Sequence, residues 1–124
     1  MNEPRFNRLG VIGVGLIGAS FALAFRERKL CKEIWGYSLS GNSALKALEL
    51  GIIDKKIDTI EGIGKGCDII VVSTPVLTIP DILKELSLYV SENTLITDGG
   101  SVKNFVPEVE SFFKYKNFII SSLS

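Results

Sequence analysis

The chain has 124 residues, with 14 basic and 14 acidic side chains and a formal net charge of zero. Apolar residues make up 46% and charged residues 23%, which fits one globular domain that needs no disulfide or metal staple and excludes a disordered chain. With no net charge and no basic run, a nucleic-acid surface is not expected. The absence of histidine excludes an imidazole base or a histidine-bound metal within these residues.

In chain order, residues 9–25 (LGVIGVGLIGASFALAF) are uncharged and follow Arg5 and Arg8, the outline of a secretory or membrane segment. The stretch is at the short limit for a spanning helix, and each of its four glycines would weaken a helix by about 1 kcal/mol. A buried strand over 9–14, a turn and a helix over 16–29 account for the same glycines. No membrane segment is therefore expected. Cys31 and Cys67, far apart and outside any CxxC pattern, read as reduced apolar residues of a cytoplasmic protein.

A second strand is predicted over 33–38 and a second helix over 42–50, stopped by Gly51 in the position that favours a left-handed residue. Residues 52–66 mix isoleucines, charges and glycines, and predict a short strand or irregular segment and then a weak helical turn. Residues 68–73 (DIIVVS) form the clearest strand. Thr78 is expected to cap a helix over 79–89, with Pro80 tolerated in its first turn. A strand over 94–97, a helix within 102–114 and a strand over 117–120 complete the chain. Alternating strands and helices imply βαβ units around a parallel sheet.

Gly13-Val14-Gly15-Leu16-Ile17-Gly18 is a GxGxxG loop between a predicted strand and a predicted helix. Gly13 permits a tight turn, Gly15 lets the backbone approach a pyrophosphate, and Gly18 lets the helix pack on the strand. The free amides and dipole of the helix N-terminus then hold the phosphates. An acid about twenty residues further on would bond the adenosine ribose of NAD. Ser38 stands there, within Gly36-Tyr37-Ser38-Leu39-Ser40. Ser38, Ser40, Asn42 and Ser43 could donate to a 2′-phosphate, which tilts the cofactor from NAD toward NADP, although no Arg or Lys follows Ser38. The loops Ser73-Thr74-Pro75 and 98–103 (DGGSVK) follow strands, and they should line the same crevice toward the nicotinamide.

Taken together, VIGVGLIGASFALAFRER, EIWGYS, ALELGIIDK, DIIVVSTPV and TDGGSVK resemble the prephenate/arogenate dehydrogenase family of tyrosine biosynthesis. The resemblance implies an α/β Rossmann-like domain: a doubly wound parallel sheet in three layers, with helices on both faces. It also implies a helical C-terminal domain that supplies dimer contacts and part of the substrate site. The reaction is oxidative decarboxylation of prephenate or arogenate, with hydride transfer to NAD or NADP. The cofactor residues it implies are Gly13, Gly15, Leu16, Ile17, Gly18, Tyr37, Ser38, Leu39, Ser40, Ser73, Thr74, Pro75 and Ser101. Ser101 would lie beside the nicotinamide and the substrate hydroxyl, with Lys103 in a supporting role. Many members carry aspartate where Ser38 stands, and the NADP-using arogenate enzymes that carry serine there usually follow it with arginine, not leucine.

The strand over 117–120 runs in this family into a Gly-x-His-Pro motif. Here it runs into Ser121-Ser122-Leu123-Ser124. Residues 1–124 are therefore expected to form a cofactor-binding domain ending before the histidine motif and the second domain, nearly inactive alone. Competing readings are another Rossmann oxidoreductase, of the β-hydroxyacid or pyrroline-carboxylate reductase type, and a non-catalytic nucleotide-sensing module. Apolar residues near the terminus (Phe105, Phe112, Phe113, Phe118) suggest self-association of the isolated domain, and the full-length enzyme is expected to be a homodimer.

Overall fold

The structure is a computed structural model that describes residues 4–98. The predicted helix within 102–114, the strand over 117–120 and the apolar cluster beyond residue 104 lie outside the described residues.

Five parallel strands form one sheet in the order β3-β2-β1-β4-β5. They are β1 (Phe6–Ile12), β2 (Cys31–Tyr37), β3 (Lys55–Lys56), β4 (Ile69–Val72) and β5 (Leu95–Asp98). The connecting helices are α1 (Leu16–Glu27), α2 (Asn42–Glu49), α3 (Ile60–Gly66) and α4 (Ile79–Leu86). The two-residue alternation of the strands divides the core. Leu9 and Val11 of β1 pack with Ala22 of α1 and with Ala44 and Ala47 of α2. Ile12, together with Ile70 and Val72 of β4, packs with Ile63 of α3 and Leu83 of α4. Helices thus cover both faces, and the sheet is doubly wound in three layers.

The observed boundaries shift for local reasons. β1 ends at Ile12, not at residue 14, because Gly13 turns the chain with φ +88°. It starts earlier than predicted, since the amides of Asn7 and Arg8 donate to the Asp68 carboxylate at 2.9 and 2.8 Å. α1 stops at Glu27, and Lys29 takes a left-handed φ of 54°. Gly51 ends α2 as expected, with φ 75°. Residues 52–66 hold the short strand expected as one alternative, two residues long, and then, in place of a weak turn, a seven-residue helix whose Thr59 hydroxyl accepts from the Gly62 amide at 3.0 Å. Thr78 does not cap α4. A 3₁₀ turn over Val76–Thr78 leads into the helix, and the Thr78 hydroxyl donates back to the Pro75 carbonyl at 2.6 Å. α4 ends at Leu86, and the chain runs on to Tyr89 through i→i+3 bonds.

Trp35, the only tryptophan, sits on β2 against α3. Its ring has the Arg8 guanidinium at 4.7 Å and the Lys55 ammonium at 4.8 Å, and its indole N–H donates to Glu33 at 2.7 Å. A side chain at Gly66 would collide with that ring. Both cysteines are free. Burial pushes the Cys67 thiol up to about 12, against the lowering charge of Arg8. Cys31 is half-buried, and its thiol is raised for the same reason. Among the described residues no helix is long and apolar enough to cross a membrane, and no cluster of three potential metal ligands occurs.

Candidate functional site

The strand order reverses between β1 and β4, and a parallel sheet opens a crevice where it does so, beyond the carboxyl ends of those strands. Gly13 follows β1 there and Ser73 follows β4. The Gly13 amide donates to the Tyr37 carbonyl at 2.8 Å, and the Ser73 hydroxyl donates to the Gly13 carbonyl at 2.6 Å. Three strand ends are tied together through one glycine.

The three loop glycines do different work. Gly13 holds a positive φ, and a side chain on it would run into the Thr74 methyl and backbone. A methyl on Gly18 would collide with the Gly13 carbonyl and lie 2.7 Å from Ser73 Oγ and 2.9 Å from a Val11 methyl. A Cβ on Gly15, in contrast, would meet nothing within 4 Å among the described residues. Gly15 is the N-cap of α1, which has no side-chain cap and no acid in its first turn. The first-turn amides of a twelve-residue helix are therefore open to an anion from the side on which Gly15 has no side chain.

A cleft of about 460 Å³ opens there. Its walls bring together much of the predicted set: Gly13 and Gly15 of the glycine loop, Ser38, Leu39 and Ser40 after β2, and Ser73, Thr74 and Pro75 after β4. It adds Val14, read in sequence as part of the strand, and Ser43 from the first turn of α2. Among the described residues the lining contains no acid and no base. Ser38 Oγ accepts from the Ala44 amide at 3.1 Å, and Ser40 Oγ accepts from the Asn42 amide at 3.3 Å. Both hydroxyls keep their protons for donation. Thr74 Oγ1 is buried and makes no hydrogen bond among the described residues, a cost of about 1–3 kcal/mol that a bound group or water can remove.

Four predicted residues do not line the cleft. Gly18 is buried beneath it. Leu16 lies 87% exposed in a neighbouring groove with Ala19, Lys46 and Leu50. Ile17 is half exposed on the first turn of α1. Tyr37 supplies its carbonyl to Gly13, and its side chain packs into the α3–α4 side of the core. Asp98, fully buried, ends β5 opposite Val72. Ser101 and Lys103 lie outside the described residues.

A doubly wound sheet, a glycine turn at its switch point and an uncapped helix facing a cleft whose described lining is uncharged define a dinucleotide-binding domain of the Rossmann type. The comparisons with known proteins narrow this. Residues 21–122 match the family described as prephenate dehydrogenase, nucleotide-binding domain, and the chain belongs to that family. It is 38% identical over 107 residues to a prephenate dehydrogenase of Bacillus subtilis, covering 86% of this chain and 29% of that protein. It superposes with a TM-score of 0.84 at 35% identity on a prephenate dehydrogenase from A. aeolicus, solved with hydroxyphenyl propionate and NAD+, covering 92% of this chain and 40% of that one. A Synechocystis arogenate dehydrogenase superposes with a TM-score of 0.76 at 28% identity, covering 86% of this chain and 38% of that one. The chain thus spans less than half the length of these relatives.

Proposed function

We propose that this chain is the NAD(P)-binding part of a cytoplasmic prephenate or arogenate dehydrogenase of tyrosine biosynthesis. The observation that carries the reading is the division of labour among the glycines. Gly13 turns the chain, Gly18 brings α1 onto the sheet, and Gly15 leaves open the approach to the α1 amides. A pyrophosphate fits that opening. Its charge meets the positive end of α1 and, among the described residues, no opposing acid in the cleft. Ser38, Ser40 and Ser43 would hold the adenosine ribose, and Ser73, Thr74 and Pro75 would border the nicotinamide side. When bound, the nicotinamide ring accepts the hydride. Ser101 is assigned to the substrate hydroxyl and Lys103 to a supporting place beside it.

NADP is preferred over NAD on this reading. An acid at position 38 would repel a 2′-phosphate, and the serine hydroxyl, already fixed by the Ala44 amide, has a proton to donate to one. The 124 residues hold no histidine, so the chain alone supplies no imidazole to assist hydride transfer. It binds cofactor and turns over prephenate or arogenate at a negligible rate, and the full-length enzyme acts as a homodimer.

Calorimetric titration of the chain with NAD and with NADP tests this. Saturable binding of both, tighter for NADP, is expected. No binding of either at millimolar concentration refutes the assignment, and tighter binding of NAD refutes the preference.

A further inference from the structure

We propose that Lys56 is the cation that recognises the 2′-phosphate of NADP, reached from the neighbouring strand and not from the loop after β2. The inference rests on the cleft being the cofactor site. No basic residue follows Ser38 in the loop, and serine hydroxyls alone leave a phosphate's charge of about −2 unneutralised. The sheet supplies what the loop lacks. Lys56 is the last residue of β3 and pairs with Gly36 of β2, two residues before Ser38.

From there the tip of the lysine comes up to Gly41, in the turn that joins β2 to α2. A Cβ on Gly41 would lie 3.5 Å from Lys56 Cε and 3.6 Å from Nζ. Gly41 has φ +84°, a conformation that side chains disfavour, and its amide closes the turn onto the Ser38 carbonyl at 3.1 Å. A glycine there leaves no side chain between the Lys56 ammonium and the turn that presents Ser38, Leu39 and Ser40 to the cleft. The ammonium bonds Asp58 at 2.5 Å. The two ends of that pair differ: the Lys56 side chain is 28% exposed and that of Asp58 79%. Lys56 is held against the fold while its carboxylate partner stands in water, where an ion pair contributes little. A 2′-phosphate brought to the Ser38–Gly41 turn exchanges with Asp58 for the same ammonium. NAD offers no such anion, and the Lys56–Asp58 pair stays closed.

The test is calorimetric titration of NAD and NADP into the 124-residue chain and into Lys56→Gln, Lys56→Arg and Asp58→Asn. Lys56→Gln should weaken NADP about tenfold, the effect of one charge-assisted bond, with NAD affinity as the internal reference. Lys56→Arg should restore NADP affinity. Asp58→Asn should tighten NADP severalfold by removing the competitor. Equal changes for both cofactors in Lys56→Gln, or no change for NADP, overturn the proposal. The same holds if Asp58→Asn weakens NADP. Should the parent favour NAD while Lys56→Gln still costs NADP alone, Lys56 keeps its role and only the preference falls. A parent that binds neither cofactor removes both readings together.

Discussion

Gly15→Val separates cofactor binding from folding more sharply than any other change at the loop. Among the described residues a Cβ at position 15 meets no atom within 4 Å, and the backbone there (φ −101°, ψ −153°) is extended and not left-handed, so a side chain meets no positive-φ strain. Losing a glycine N-cap costs roughly 1 kcal/mol, and the less flexible unfolded chain returns about 0.4–1 kcal/mol. The melting temperature should therefore move by less than about 5 °C. Binding should suffer far more. The isopropyl group stands where an anion must approach the α1 amides, and each amide bond to a charged group contributes about 1.5–3 kcal/mol. Loss of two weakens either cofactor by at least about 100-fold. Gly18→Ala is the opposite case. Its methyl collides with the Gly13 carbonyl and crowds Ser73 and Val11, so overpacking costs about 1–3 kcal/mol and lowers the melting temperature by roughly 5–20 °C. Thermal denaturation followed by circular dichroism, with calorimetric titration of the folded protein, reads both effects. A folded Gly15→Val protein that binds cofactor within about threefold of the parent would refute the loop assignment.

Ser38→Asp should keep the bond to the Ala44 amide, leave the melting temperature nearly unchanged and shift selectivity toward NAD by at least about tenfold; unchanged selectivity in titrations would show that residue 38 does not face the ribose. Asp68→Ala strips the acceptor from the Asn7 and Arg8 amides and should destabilise the fold by about 1–3 kcal/mol in urea unfolding, with Asp68→Asn losing less. The Cys67 thiol ionises near 9.0 in the unfolded chain and near 12 in the fold, because burial disfavours the thiolate. The folded pKa is the higher one, so its contribution is fully present below about 9 and declines as pH rises from there toward 12. Urea midpoints at increasing alkaline pH should therefore fall less steeply for Cys67→Ala than for the parent, and parallel slopes would contradict this.

Much of the fold was legible because the strongest signals are local. The β-branched run of β4 and the strand–glycine–helix passage at residues 9–18 need no distant partner to declare themselves. α3 was harder to foresee. Its three glycines argue for a weak turn, yet Gly66 makes room for Trp35 and Gly64 brings α3 close to Tyr89, so tertiary packing overrides propensity. Thr78 had the composition of a cap, but a 3₁₀ turn directs its hydroxyl back to Pro75. In the cleft, loops next to strand ends were recognisable from order alone. The side of the sheet taken by Tyr37 follows from alternation along the strand predicted over 33–38, where it shares a face with Trp35. Lys56 gives no local signal, because its place beside Gly41 and the β2–α2 turn exists only through β2–β3 pairing.

The packing around Trp35 makes it a built-in optical reporter. All indole fluorescence comes from one ring, clasped by Arg8 of β1 and Lys55 of β3 and resting on Gly66 of α3. Its emission therefore reads the joining of three separate chain segments at once. A change in indole emission on unfolding has a single origin, the opening of this one junction of β1, β3 and α3.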